Sequence, residues 1–318
     1  MNKKVKYEPL NALEYPRFEG IRTFRRLPHV TDLTDVQFAY VGIPFDTACT
    51  FRVGARFGPS DIREHSLLLR PYNPVQNINI FENINAVDFS DIPIIPTSIE
   101  KSFIQIEDHA NKIFDRGVVP TFVGGDNSIS LPCLRAAYKK YGKLSLIHFD
   151  SHCDLWDGYW GEKYTHGTPF RRALEEGLID SDRSIQIGLR GPLYEEKDAY
   201  LGAREGFEII TGPQLHEIGM PKAVEIIQEK VGGGPAYIGF DIDFVDPAYA
   251  PGTGTPEVGG FTSAQTLQLV RGLKGLDIVA FDLVEVSPPY DPAHITSLLA
   301  ANLIYEFMTL VALAKRNS

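Results

Sequence analysis

The 318-residue chain is poor in cysteine and has fewer basic than acidic side chains. Its three cysteines, Cys49, Cys133 and Cys153, are odd in number and show no CxxC spacing. A disulfide framework or a thiolate zinc site is therefore disfavoured, and a reducing compartment is indicated. A formal charge of -10 argues against nucleic acid or an anionic membrane surface as the partner, and it is compatible with small cationic molecules.

Long uninterrupted hydrophobic runs are also missing. The most apolar stretch, residues 298–313, contains Asn302 and Glu306, so we predict a buried helix there rather than a membrane span. The first nine residues are basic and lack the apolar core of a signal peptide. These features predict a soluble, cytoplasmic protein without a membrane partner.

Short apolar runs alternate with helical stretches, which is typical of an α/β protein with a parallel sheet covered on both faces. Capping motifs at residues 97–100 and 262–265 predict helices that end near Arg116 and Gly275. Because no linker or repeat divides the chain, one domain is predicted over residues 36–318, after a surface extension over residues 1–35. The predicted strands are 36–43, 118–123, 144–149, 185–189, 207–210, 236–240 and 278–283.

Two acidic segments follow two of these strands. Asp150, His152 and Asp154 come after one strand, and Asp241 and Asp243 come after another. A spacing of two places side chains on the same face of an extended segment. Clustered buried carboxylates repel one another, so a divalent cation with His152 as its nitrogen ligand is the favoured interpretation. The alternative is a polar turn whose aspartates cap the next helix.

Three further positions fall where the same crevice is expected. The segment Gly124-Gly125-Asp126-Asn127-Ser128 is either a tight turn with a capping side chain or a third wall of that crevice. His166 is either a partly exposed cap or a proton carrier beside the metal. Glu285 is either a paired structural charge or a receptor for a guanidinium, whose planar fork matches a carboxylate.

Several motifs in the chain resemble the ureohydrolase family, which includes arginase, agmatinase, guanidinobutyrase, guanidinopropionase and proclavaminate amidinohydrolase. The resemblance covers nearly the whole chain and favours the bacterial agmatinase, guanidinobutyrase and guanidinopropionase branch over arginase itself. It implies a three-layer α/β/α sandwich around a mainly parallel eight-stranded sheet, and it makes residues 36–318 the catalytic domain. The motifs are Gly54-Ala55-Arg56-Phe57-Gly58-Pro59, His166-Gly167-Thr168-Pro169-Phe170 and Ala250-Pro251-Gly252-Thr253-Gly254-Thr255-Pro256-Glu257.

The resemblance also implies hydrolysis of a guanidino group to urea and an amine with two manganese ions, although nickel or another divalent metal is an alternative. In the family's scheme His166 passes a proton to the departing amine, Glu285 positions the guanidinium, and Asp154 orients the attacking water. The family's metal positions fall on Asp150, His152, Asp154, Asp241 and Asp243, of which Asp150 and Asp241 bridge both ions.

Three positions depart from the family pattern. Asn127 replaces a histidine ligand, and because an amide oxygen binds Mn²⁺ less tightly than an imidazole nitrogen, a weaker metal position is predicted there. Trp156 and Phe51 replace asparagines near the expected mouth of the site, which indicates a smaller or less polar substrate tail. With Tyr159 and Trp160 they could offer cation–π faces, and ordinary packing is the alternative.

These observations predict an amidinohydrolase for a small cationic guanidino compound: agmatine by default, with guanidine, a guanidinoalkanoate or an N-alkylated guanide as alternatives. Homotrimers or homohexamers are expected, and a hetero-oligomer is an alternative. Two rival functions stay open. A low-activity structural or regulatory subunit beside an active paralogue is suggested by Asn127, and a deacetylase or another amide hydrolase could share the fold, although it would not need Glu285.

Overall fold

The computed structural model describes residues 6–316, and a central sheet of eight parallel strands organises it. In chain order the strands are β1 (Phe38–Ile43), β2 (Tyr72–Asn73), β3 (Ile78–Asn79), β4 (Ala86–Asp91), β5 (Val119–Gly124), β6 (Ser145–Phe149), β7 (Ile185–Ile187), β8 (Glu208–Ile210), β9 (Ala236–Asp241) and β10 (Ile278–Val284). The large sheet has the order β4-β1-β5-β10-β9-β6-β7-β8, and β2 and β3 form a separate antiparallel pair.

Helices cover both faces of the sheet, so the predicted α/β/α sandwich is confirmed. Side chains of β1 alternate between two buried clusters: Phe38 and Tyr40 pack with residues of α8, whereas Ala39 and Val41 pack with residues of α2 and α3. The helices are α1 (Gly58–His65), α2 (Ile99–Asp115), α3 (Ser130–Tyr141), α4 (Pro169–Glu175), α5 (Leu201–Arg204), α6 (Gly212–Val231), α7 (Ser263–Gly272) and α8 (Ile295–Arg316).

Both predicted helix starts are present, with one difference in detail. Thr262 and Gln265 form the expected reciprocal capping box at α7, which ends at Gly272. At α2 the cap is Ser98, whose hydroxyl accepts from the Lys101 N–H, so the predicted pairing of Thr97 with Glu100 was wrong by one residue.

All seven predicted strands are present in the large sheet, whereas its eighth strand, β4, and the short strands β2 and β3 were not predicted. The sequence of β4, Ala-Val-Asp-Phe-Ser-Asp, lacks the continuous apolar run of a buried parallel strand. Asp88 is nevertheless buried because Arg63 donates to both of its carboxylate oxygens, at 2.8 and 3.0 Å, and the Phe24 N–H donates at 2.7 Å. A long-range ion pair thus allows a polar strand at this edge, and local sequence cannot reveal it.

The C-terminal helix α8 is a core element, as predicted for residues 298–313. Residues Pro292–Arg316 are long and apolar enough by composition to cross a membrane, but 83% of the most apolar window is buried within the protein. Glu306 is buried against the Arg271 guanidinium, which donates at 2.7 Å, and the Asn73 amide, which donates at 3.0 Å. Burial inside the fold therefore accounts for the apolar sequence.

The N-terminal segment combines buried and exposed parts. Phe24 is fully buried and stacks on Tyr40 with ring centroids 4.8 Å apart, whereas Leu13, Phe18 and Ile21 are largely exposed. Residues 1–5 of the predicted extension and residues 317–318 of the predicted domain lie outside the described residues. The boundary at residue 35 stays a prediction.

Candidate active site

Four neighbouring strands in the middle of the sheet, β5, β10, β9 and β6, end at the same edge. The residues singled out in the sequence follow these strands directly, and the buried carboxylates and histidines converge there as expected for the crevice of a parallel sheet. Asn127 follows β5, Glu285 follows β10, Asp241 and Asp243 lie at and after the end of β9, and Asp150, His152 and Asp154 follow β6. All seven are buried except His152, which is half-buried.

One part of the cluster, which we call the acidic half, consists of Asp150, His152, Asp241 and Asp243. His152 Nδ1 lies 3.0 Å from Asp243 Oδ2 and 3.4 Å from Asp150 Oδ1. The Asp243 N–H donates to Asp241 Oδ1 at 2.8 Å, which folds the two aspartates toward each other. Ligand atoms of Asp150, His152 and Asp243 lie within 4.8 Å of one another, close enough for all three to bind one ion.

Electrostatics in the acidic half favour a bound cation. Burial and the neighbouring Asp243 charge raise the pKa of Asp150 to about 7. Burial, followed by the charges of Asp243 and Asp150, raises the pKa of Asp241 well above its usual range. Burial acts against ionisation of Asp243 as well, but the charge and hydrogen bond of His152 lower the pKa of that carboxyl. A single imidazole thus offsets part of the repulsion among three buried carboxylates.

Sequence reasoning missed His148, which supports the acidic half from within β6. Its Nε2 lies 2.9 Å from Asp150 Oδ2, while its Nδ1 lies 3.0 Å from the Gln186 amide nitrogen. Since the amide is a donor, the proton of the neutral imidazole lies on Nε2 and is donated to Asp150. Burial lowers the pKa of His148 to about 4, which keeps the ring neutral. Its position two residues before Asp150, on the same strand face, was the available signal.

The other part of the cluster, which we call the amide half, consists of Asn127 and Asp154. The Asn127 Nδ2 donates to Asp154 Oδ2 at 2.5 Å, and Asn127 Oδ1 lies 2.7 Å from the Ser130 hydroxyl. The amide therefore presents an N–H, which has no lone pair for a metal, toward Asp154. Burial and the charge of Asp150 raise the pKa of Asp154 to about 7.

The acidic half fits a divalent metal better than the amide half does. In the acidic half, three carboxylates and one imidazole provide a donor set suited to manganese or a similar ion. Asp243 Oδ2 is buried with His152 Nδ1, itself a potential metal ligand, 3.0 Å away, so a cation could be bound by both atoms. In the amide half, Asn127 would have to turn its amide and break its bond to Asp154 before its oxygen could bind an ion.

Glu285 and His166 form a separate pair beside the cluster. His166 Nδ1 lies 3.1 Å from Glu285 Oε1, which also accepts the Asn127 N–H at 2.9 Å. Glu285 Oε2 is buried without a hydrogen bond, and the residue has a positive φ of 65°. Burial opposes the charged imidazole, but the hydrogen bond and charge of Glu285 raise the pKa of His166 to about 9. The strained backbone indicates that the surroundings hold Glu285 in place, and its unbonded carboxylate oxygen suits a bound cation.

The turn after β5 holds this pair close to the sheet. Gly125 accepts the Glu285 N–H at 2.9 Å and donates to Ile43 O at 3.1 Å, so it ties the end of β10 to that of β1. A Cβ at Gly125 would lie 1.7 Å from the Phe45 carbonyl oxygen, which only glycine avoids. Asp126 caps the turn by accepting from the Ser128 N–H, as one of the two sequence interpretations expected.

A cavity of about 470 Å³ opens onto the site, and aromatic side chains form part of its wall. Trp156 packs edge-on against Tyr194 with ring centroids 5.5 Å apart. Phe51 and Trp160, which are 70% and 80% exposed, lie outside the cavity, so the structure does not bring these two predicted positions to it. The residues around it that bear on chemistry are His152, Asp154, His166, Asp241, Trp156, Tyr159, Tyr194, Arg190, Asp198 and Glu257.

The fold and the site together define an α/β/α sandwich protein with a cluster of candidate metal ligands at the carboxyl edge of its sheet. The sequence model of the arginase family matches residues 36–310. The chain therefore belongs to the arginase family, and the predicted family resemblance is confirmed.

Individual relatives agree with this assignment. A guanidinobutyrase of Pseudomonas aeruginosa is 45% identical over 96% of this chain and 97% of its own length. A guanidinopropionase of the same organism is 44% identical over 96% of both chains. The structure of the proclavaminate amidino hydrolase from Streptomyces clavuligerus is 37% identical, covers 94% of this chain and 100% of its own, and superposes with a TM-score of 0.91.

Proposed function

We propose that this protein is a metal-dependent amidinohydrolase that cleaves a small guanidino compound to urea and an amine. The observation that carries the proposal is the buried Glu285 carboxylate, which has one unbonded oxygen and lies beside both His166 and the cluster of metal-ligand residues. A guanidinium would satisfy that oxygen through a charge-assisted hydrogen bond. The names of the relatives, guanidinobutyrase and guanidinopropionase, support the same substrate class.

Asp150, His152, Asp241 and Asp243 would hold the tighter metal ion, with Asp154 and Asn127 offering a weaker second position. A divalent metal there supplies Lewis acidity and lowers the pKa of a coordinated water. His148 keeps Asp150 oriented through its Nε2–H. Manganese is the default ion, and nickel satisfies the same donor set.

His166 is the candidate proton carrier at the departing amine. Its Nδ1 lies 3.1 Å from Glu285 Oε1, and although burial opposes the charge, the hydrogen bond and charge of Glu285 raise the pKa of the imidazole to about 9, so the ring holds a transferable proton at neutral pH. The imidazole also lines the cavity beside Asp154, which gives it access to substrate. The ring would thus deliver a proton to the leaving nitrogen while Glu285 fixes the guanidinium.

The cavity favours a substrate whose tail carries no carboxylate. Among its described lining residues, Arg190 is the one arginine or lysine, and its guanidinium donates to four main-chain carbonyls. Asp198 and Glu257 would repel a tail carboxylate, whereas Trp156 and Tyr194 suit an apolar or cationic tail. We therefore rank agmatine and N-alkylated guanides ahead of guanidino acids.

A urea-release assay tests this proposal. The substrates are agmatine, guanidine, an N-alkylated guanidine, guanidinopropionate and guanidinobutyrate, each measured with Mn²⁺, Ni²⁺, Co²⁺ or Zn²⁺. We expect urea from at least one compound without a tail carboxylate, and none from the same compound with an Asp243→Asn variant. An absence of urea in every combination would contradict the function, and preferred cleavage of the guanidino acids would contradict the ranking.

The hydrogen bond between Asn127 and Asp154 favours one second candidate, a low-activity subunit that supports an active paralogue. Such a chain would have no chemical need to keep Glu285 buried with an unbonded oxygen, and so the enzymatic proposal comes first. Turnover by the purified chain alone, with metal bound near stoichiometry, would exclude this candidate.

A further inference from the structure

A second cavity, of about 620 Å³, lies between the N-terminal segment and the residues that follow α1. Its described lining carries four arginines and two glutamates, although the chain as a whole has a net charge of -10. It shares no lining residue with the cavity of the candidate active site. The charged residues that line it are Glu8, Arg17, Arg25, Arg26, Arg70 and Glu82.

Arg25 is the unusual member of this group. It is 6% exposed, yet within residues 6–316 its guanidinium donates no hydrogen bond and forms no ion pair, and its Nε is buried without a partner. Its Cζ lies 4.4 Å from the centroid of the Phe81 ring, which is a cation–π contact. Burial lowers the pKa of this guanidinium to about 10. An unpaired buried cation is costly, so a compensating anion is expected.

Two other arginines at the cavity differ in how many hydrogen bonds their guanidinium groups donate. Arg26 donates to the main-chain oxygens of Leu10, Tyr15 and Pro16, so it holds the N-terminal segment in place. Arg17, by contrast, has a buried Nε without a hydrogen-bond partner, as Arg25 does. Two guanidinium groups around one cavity therefore have unused donors.

The backbone that carries the buried Arg25 side chain is also strained. Arg25 and Arg26 have φ values of 51° and 56°, in the left-handed region that long side chains seldom adopt. Strain of this kind persists where the surroundings impose it and is concentrated at binding sites. The Arg25 N–H bonds the Ser66 hydroxyl at 2.6 Å, which fixes the strained turn against the segment after α1.

From these contacts we infer that Arg25 and Arg17 bind an oxyanion, a carboxylate or phosphate group, in this second cavity. A planar guanidinium binds either group through paired hydrogen bonds. The oxyanion can come from two sources. One is a free small anion, and the other is an acidic side chain of a second copy of this chain, which Leu13, a 96% exposed residue of the cavity lining, would help to hold.

An Arg25→Met variant tests the inference, because methionine removes the charge and keeps an unbranched side chain against Phe81. Arg204→Met, at an exposed arginine that does not line the cavity, is the matched control. Thermal unfolding is measured in chloride and in inorganic phosphate at equal ionic strength. Sedimentation across a dilution series measures the dissociation of oligomers in the same buffers.

The two measurements distinguish the two sources of the oxyanion. For a free anion, saturating phosphate raises the Tm of wild type and of Arg204→Met by about 3 to 5 °C and leaves Arg25→Met unchanged. For an acidic side chain of a second copy, Arg25→Met raises the dissociation midpoint about tenfold or more. An Arg25→Met protein that equals wild type in both measurements overturns the inference. Should that variant fail to fold, Arg17→Gln replaces it, with reduced responses expected and unchanged responses contradictory.

Discussion

The two halves of the candidate metal centre lie at the same edge of the sheet and both contain buried carboxylates, yet their side chains differ in the hydrogen bonds that they already make. In the acidic half, one imidazole, that of His152, lies within 3.4 Å of both the Asp150 and the Asp243 carboxylates. In the amide half, the side-chain N–H of Asn127 donates a hydrogen bond to Asp154. Strand topology thus brings ligand-type residues together, but the donor or acceptor character of each atom decides whether a cation is still required.

The largest expected effect tests the acidic half. Asp243→Asn removes a charged ligand from the residues that would hold the tighter metal, so we expect loss of retained metal and a fall in urea release of about 1000-fold or more. The control is Asp246→Asn, since the Asp246 oxygens accept from the Ala248 and Gly260 N–H groups of a turn. Metal content by mass spectrometry is read beside activity. Equal losses in both variants would mean that the acidic half has no special role.

Glu285→Gln should separate substrate recognition from metal binding. An amide keeps the shape of the side chain but removes the charge that pairs with a guanidinium, so we expect kcat/KM to fall by about 30- to 1000-fold. Metal content should stay at the wild-type value. The control is Glu257→Gln at the cavity, for which a much smaller effect is expected. A parallel loss of metal in Glu285→Gln would assign the residue to the metal centre instead.

His148→Gln should weaken the acidic half alone. Loss of the imidazole that orients Asp150 is expected to reduce metal affinity by about 10- to 100-fold. Activity at saturating metal should recover most of its wild-type value, because His148 does not line the cavity. A competition titration with a chelator measures the affinity. Unchanged affinity would show that Asp150 needs no support from within β6.

The smallest effect is expected at the cavity wall. Trp156→Asn should lower kcat/KM for an alkylated or cationic substrate by about tenfold, because a stacked aromatic face is lost. Relative activity toward guanidino acids should rise. Parallel kinetics on guanidinobutyrate and agmatine measure the ratio, and a constant ratio would mean that Trp156 only packs against Tyr194.

The sequence could predict the parallel sheet and the position of the site because strand ends and alternating carboxylates are local signals. It could not predict β4, since Asp88 in that strand is buried only through Arg63, which lies 25 residues earlier. Phe51 was placed near the mouth by resemblance, but it is 70% exposed and is not among the residues that line the cavity. The orientation of the Asn127 amide also lay beyond sequence, because Ser130 and Asp154 set it through hydrogen bonds.

The most direct test of the difference between the halves is the number of metal ions that each chain binds. Metal-free protein is dialysed against buffered Mn²⁺, and bound metal is quantified for wild type and for Asn127→His. We predict one tight ion per wild-type chain with a second bound at least tenfold more weakly, and two tight ions per chain once a histidine supplies a ligand nitrogen. Two ions of equal affinity in the wild-type chain, or no change on Asn127→His, would contradict the account.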